Sequence, residues 1–112
     1  MDCIFCKIAA GERTSTKVYE DDTVVAFNDL DPPAPVHVLI IPKEHIASAA
    51  EINESNSAVV AHIFEVAAKI AAEKGLKDGF RIVNNCGDSA GQSVKHLHFH
   101  LMGGRDFGWP AG

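Results

Sequence analysis

The chain is 112 residues long, 46% hydrophobic and 22% charged, the balance of one globular domain with a single core. Its formal net charge of −5 argues against a broad nucleic-acid or anionic-membrane surface, which needs a basic patch, but leaves room for a small anion held by local donors. No apolar run approaches the ~20 residues of a membrane span, and the start, MDCIFCKIAAGE, lacks the basic and long apolar regions of a signal peptide. The expectation is therefore one cytoplasmic domain over residues 1–112, with neither nucleic acid nor membrane as partner. The three cysteines fit a reducing compartment: Cys3 and Cys6 form a CxxC pair and Cys86 stands alone.

A short helix opens the chain, with Asp2 as N-cap, Ile4, Phe5 and Ile8 on one face and Gly11 as the stop. Residues 17–20 and 23–28 read as strands around a turn at Asp21 and Asp22. LDPPAP, residues 30–35, is irregular, because three prolines remove donors and hold their neighbours extended. VHVLII, residues 36–41, is apolar and largely β-branched, the pattern of a central strand buried on both faces; Pro42 ends it. A short helical piece is expected from His45 to Ile52. The clearest helix covers 55–74, where Val60, Ile63, Ala67, Ile70 and Ala71 recur at helical spacing before Gly75. Val59, Phe64 and Val66 widen its apolar arc, so it packs on two sides, and the second side is read as a partner subunit. FRIVNN (80–85) and KHLHFHLM (95–102) are two further strands, separated by the loop CGDSAGQSV. Strands, then a helix, then strands favour antiparallel α+β over a parallel sheet.

The last strand carries the chemistry. Side chains alternate along a strand, so His96, His98, His100 and Met102 share one face while Leu97, Phe99 and Leu101 enter the core. Three displayed imidazoles admit two uses. His-x-His can give two ligands to one zinc. Alternatively, a neutral imidazole whose far nitrogen is held by an acceptor can attack phosphorus and form a covalent intermediate, given donors around the phosphate oxygens. The preceding loop offers such donors: the backbone of Gly91, Gln92, Ser93 and Val94 can form an anion nest, and Ser93 adds a hydroxyl. The amides of Asn84 and Asn85 end the opposing strand.

HLHFHLM resembles the His-φ-His-φ-His-φ-φ signature (φ apolar) of the histidine triad superfamily. The likeness extends through CIFCKI, AFNDLDPPAPVHVLIIPKEHI and NNCGDSAGQSVKHLHFHLMGGRDFGWP, with HLMGGR and the terminal WP most similar to the Hint branch, the nucleoside phosphoramidases. The resemblance implies a five-stranded antiparallel sheet, with one long and one or two short helices, continued across a homodimer. It implies no metal or organic cofactor in the chemistry. His98 would attack the α-phosphorus of a purine nucleoside 5′-phosphoramidate, expelling the amine, and water would release the nucleoside monophosphate. His100 would bind the phosphate, Ser93 and Asn85 would hold its oxygens, and His37 would support the triad. Asp29 would accept hydrogen bonds from the ribose hydroxyls. Ile8, Phe27, Leu30 and Leu39, with Ile4 or Phe5, would form a slot for the purine. The dinucleoside polyphosphate hydrolases of the same superfamily are the alternative, as is a zinc-stabilised nucleotide-binding or interaction module.

Cys3 and Cys6 share a helix face at the spacing of half a tetrahedral zinc site. Relatives that retain CxxC complete it with the histidine of PKxH and the first histidine of the triad, here His45 and His96. The resemblance thus implies a structural zinc that uses His96 and leaves His98 and His100 for catalysis. His62, on the long helix, reads as an ordinary, partly exposed residue.

Overall fold

A computed structural model describes residues 3–29 and 33–112. Helix α1 (Ile4–Ala9) is capped by Cys3, whose sulfur accepts from the Cys6 amide at 3.3 Å; Asp2, expected in that role, lies outside the described residues. The strands are β1 (Lys17–Glu20), β2 (Val24–Asn28), β3 (Val36–Pro42), β4 (Phe80–Val83) and β5 (Phe99–Gly103), and the long helix is α2 (Ser57–Glu73). They form one antiparallel sheet in the order β1-β2-β3-β5-β4, so β3 is central and the last strand sits between β3 and β4. Among the described residues, no helix is long and apolar enough to cross a membrane.

The period-2 pattern divides the core between the two sheet faces. Val24, Ala26, Val38, Ile40, Leu97, Phe99 and Leu101 meet Ile63, Val66, Ala67, Ile70 and Ala71 of α2. On the other face Val25, Phe27, Leu39 and Ile41 meet the cap residue Cys3 and Phe5 and Ile8 of α1. β3 is therefore buried on both faces, as its near-continuous apolar run dictates. His37, two residues from Leu39, lies on the α1 side, as does His100, paired with Leu39 across the ladder.

The helix expected over 55–74 and the strand expected over 23–28 shift by one or two residues; three differences have structural causes or consequences. The helix expected over 45–52 is a single 3-10 turn, Ala49–Glu51. β5 begins at Phe99 rather than at Lys95. Its ladder with β3 runs from Val36↔Gly103 to Ile40↔Phe99. Two residues further on it would meet Pro42, which has no amide to donate. The Leu97 amide instead donates to the Ile46 carbonyl, at 2.6 Å. β4 stops at Val83, and the Asn84 side chain donates to the His98 carbonyl at 2.9 Å where the ladder ends. His96 and His98 thus precede the strand, yet the in-out alternation continues through them.

The β1–β2 turn is tied to α2 by a polar cluster. Asp21 Oδ1 accepts from the Thr23 and Val24 amides, and Oδ2 accepts from Tyr19 Oη. His62 on α2 joins it: Nε2 is 2.6 Å from Asp21 Oδ2 and Nδ1 is 3.0 Å from Glu65 Oε1. Burial pulls the Asp21 carboxyl up, but hydrogen bonds from His62, Thr23, Val24 and Tyr19 outweigh it and hold the group well below the carboxylate range. Asp21 first, then Glu65, raise His62 above its ordinary value. A histidine raised on folding adds stability that is complete below its unfolded pKa, about 6.5, and is lost as pH rises through the folded value. Asp21 adds stability present above about 3.9 and lost in acid. The expected result is that His62→Gln lowers the urea midpoint at pH 6 and that the gap to the parent narrows by pH 9. The ring is 35% exposed, so the effect is small. A gap independent of pH would show that the contact contributes packing alone.

Candidate active site

His96 and His98 are 0% and 3% exposed, so the row is covered rather than displayed. The cover is α1: the Phe5 ring lies edge-on to His96 and His98, with centroids 6.0 and 5.1 Å away. The row is then divided by what each ring touches.

His96 faces the cysteines. Its Nδ1 is 3.4 Å from both Cys3 Sγ and Cys6 Sγ, and His45 Nδ1 is 3.2 Å from Cys6 Sγ. The ligand atoms of Cys3, Cys6, His45 and His96 all lie within 4.8 Å of one another. A tetrahedral zinc with sulfur at about 2.3 Å and nitrogen at about 2.0 Å spaces its sulfur and nitrogen ligands about 3.5 Å apart. His96 Nε2 is 2.8 Å from the Pro42 carbonyl. That acceptor fixes the proton on Nε2 and leaves the Nδ1 lone pair toward the sulfurs, the outer support typical of a ligating histidine. Burial, with Cys3 beside it, pushes the Cys6 thiol up to about 11, and burial holds His96 below its ordinary value. Donor set, spacing and tautomer all fit a tetrahedral cation.

His98 is oriented by its neighbour. Its Nδ1 is 2.7 Å from the His96 carbonyl. A carbonyl only accepts, so Nδ1 carries the proton and Nε2 of the neutral ring keeps its lone pair. The backbone of one histidine thus sets the tautomer of the next.

His100 belongs to a second cluster. Its Nδ1 is 2.8 Å from His37 Nε2, and the rings are stacked, 27° apart. Asp29 Oδ2 stands 3.4 Å from His37 Nδ1, and the Asp29 amide donates to the His37 carbonyl at 3.0 Å. Burial, then the neighbouring His98 and His37, push His100 down to about 4; burial likewise lowers His37 against the pull of Asp29.

A HIT-like protein of Synechococcus elongatus, itself uncharacterised, is 47% identical over 99% of this chain and 97% of the relative. The chain belongs to the histidine triad (HIT) family. The family model for the C-terminal binding region of the scavenger mRNA decapping enzyme matches residues 2–107. A 14 kDa zinc-binding protein of Zea mays is 46% identical over 97% of this chain and 87% of its own length. Among solved structures, a HIT family hydrolase from Legionella pneumophila superposes with a TM-score of 0.96 at 47% identity, covering 99% of this chain and all of the other. A histidine triad nucleotide-binding protein from Candida albicans gives 0.82 at 36%, covering 99% of this chain and 85% of the other.

The loop before the family signature is held by Gln92. Gly91, at φ +85°, turns the chain out of the 3-10 turn Asp88–Ala90, a conformation that favours glycine. Gln92 is buried; its Oε1 accepts from the Gly87 amide, and its Nε2 donates to the Ala47 and Val94 carbonyls, at 2.8 to 3.0 Å. The Gly91 and Gln92 amides close the turn onto Asp88 and Gly87. Of the four residues 91–94, two thus have their amides taken up inside the turn, and Ser93 is exposed. The Asn85 side chain donates to Ala90 within the same loop. Gln92→Glu keeps the acceptor but turns a carboxylate toward two carbonyls. It is expected to cost about 1–3 kcal/mol in urea unfolding and to lower kcat, whereas an unchanged midpoint would show the loop to be held elsewhere.

Phe5, Ile8, Phe27 and Leu39 come together as one buried cluster with Val94 packed against it, beside His98. Ile4 lies apart, partly exposed; Leu30 is outside the described residues. Two features escaped the sequence reading: the double carboxylate contact of His62 and the bridge from Gln92 to Ala47. The His62–Asp21 half of the first and the Gln92–Ala47 bridge each join residues more than 40 positions apart, which no local pattern marks; His62–Glu65 is an ordinary helical i,i+3 pair.

Proposed function

We propose that the chain is a hydrolase of purine nucleoside 5′-phosphoramidates, with His98 as the nucleophile. The observation that carries this reading is the 2.7 Å contact from His98 Nδ1 to the His96 carbonyl, which leaves Nε2 a lone pair. Its attack would form a bond from Nε2 to phosphorus as the P–N bond breaks, and the amine would leave with a proton taken from solvent. Water would then cleave the nucleotidyl-histidine. Ser93 and Val94 donate to the phosphate oxygens, His100 and Asn85 border the same phosphate, and His37 and Asp29 back His100. Asp29 also receives the ribose, and the Phe5, Ile8, Phe27 and Leu39 cluster borders the purine. The hydrolase and nucleotide-binding relatives support the reading at the level of the family.

Cys3, Cys6, His45 and His96 would hold a structural zinc, which joins α1 to the start of the histidine row and takes no part in the chemistry. The zinc-binding relative and the tetrahedral donor set support this. The chain is read as a homodimer. β4 is an edge strand, and its Phe80 and the α2 residue Phe64 are 42% and 46% exposed. Sedimentation at micromolar concentration should give twice the chain mass; a monomer would refute the pairing.

The deciding assay compares turnover of adenosine 5′-phosphoramidate with that of a diadenosine polyphosphate. Preference for the first supports the proposal. Preference for the second makes the chain a dinucleoside polyphosphate hydrolase, and turnover of neither, with AMP bound, makes it a nucleotide-binding module.

A further inference from the structure

Asp29, His37 and His100 form a line in which protons can be counted. One proton lies between His37 Nε2 and His100 Nδ1, 2.8 Å apart. If it resides on His37, that neutral ring turns a bare Nδ1 toward the Asp29 carboxylate, 3.4 Å away, with two sets of lone pairs opposed in a buried place. If it resides on His100, His37 keeps its own proton on Nδ1, facing the carboxylate, and the clash disappears. The second arrangement is the stable one, and it leaves His100 Nε2 with no proton. An anion meeting that nitrogen would find a lone pair, and beyond it a trio whose net charge is −1. Among the described residues His37 Nδ1 makes no hydrogen bond, so the line is also incompletely satisfied as it stands.

We propose that the site takes up its oxyanion together with one proton from solvent, carried by the His37–His100 pair and stabilised by Asp29. The proposal rests on the reading of this face as a phosphate site. The added proton makes the trio neutral, gives His100 Nε2 an N–H to donate, and strengthens the contact of His37 with the carboxylate. Among the described residues, the titratable groups facing His100 are His98 on its own segment, His37 on β3 and Asp29 beyond β2; from β4 the opposed residue is Val83. In the ligand-free protein burial and these rings push His100 down to about 4, so the proton is absent beforehand at neutral pH and arrives with the anion. Asp29 is then a positioning residue for charge, acting through His37.

Calorimetric titration tests this, with adenosine 5′-methylphosphonate as the probe. Its single negative charge is fixed, whereas the second ionisation of a phosphate monoester, near pH 6, would confuse the count. Titrations at pH 7 in buffers of different ionisation enthalpy should show uptake approaching one proton per site, with affinity weakening by up to about tenfold per pH unit above neutrality. Asp29→Asn should lower the proton count and flatten the pH dependence, and Asp29→Glu should restore both. A merely structural role for Asp29 would change affinity and leave the count alone, which would overturn the proposal. Binding by the parent protein with no buffer dependence would overturn it as well, with the phosphate-site reading intact. Absence of any binding would overturn both.

Discussion

Replacing His98 with alanine is expected to lower kcat/KM for adenosine 5′-phosphoramidate by about 10⁴-fold or more, while AMP still binds. Loss of an enzymatic nucleophile removes the route, not merely one contact, and the donors that remain supply only residual catalysis. Binding is expected to persist because the proposed phosphate contacts of Ser93, Val94 and His100 are untouched. The measurement is steady-state release of the amine, paired with a titration of AMP. Retention of more than a few per cent of the parent rate would show that another group attacks phosphorus. Trapping the intermediate in the parent, followed by peptide mapping, should place the nucleotide on His98 and on no other imidazole.

Stripping the proposed zinc is expected to have the largest effect on stability. A ligand bound at a thousand times its dissociation constant stabilises the folded state by about 4 kcal/mol. For a domain of this size, that corresponds to a fall in Tm of roughly 10–20 °C. Chelation, or Cys6→Ser, should show it in calorimetry. The loss should centre on α1, because Cys3 and Cys6 join that helix to His45 and His96. Activity should fall too, since the His96 carbonyl holds His98 Nδ1 and a loosened His96 releases it. Elemental analysis gives the harder test. Less than half an equivalent of zinc per chain, from protein prepared in replete and reducing conditions, would sink the assignment.

Much of this architecture was legible because it rests on alternation. Val24 to Phe27 and Val38 to Ile41 send successive side chains to opposite layers, and the apolar run showed both layers to be filled. Leu97, Phe99 and Leu101 were legible in the same way, even though the ladder fails before Phe99. What the pattern does not encode is how the ladder ends. Pro42 terminates β3, and it also offers its carbonyl to His96 and leaves Leu97 to bond Ile46. Those are tertiary consequences of where a neighbouring strand stops. The same holds for exposure. A row of histidines beside a polar loop reads as a displayed face, and only the docked Phe5 ring shows why two of the three are buried. Gln92 read as one donor among several in a small-residue loop. Its real partners, Gly87, Ala47 and Val94, become evident only once the segment after β3 folds back beside it.

The strand order has a consequence for biosynthesis. β5 leaves the ribosome after the four strands it joins, yet it sits inside the sheet, between β3 and β4. Until then the nascent polypeptide holds β3 and β4 with facing edges open, an arrangement prone to pairing with neighbouring chains. Every product truncated before Phe99 would keep that gap, so quality-control proteases would meet it as two exposed strand borders rather than as a shortened domain.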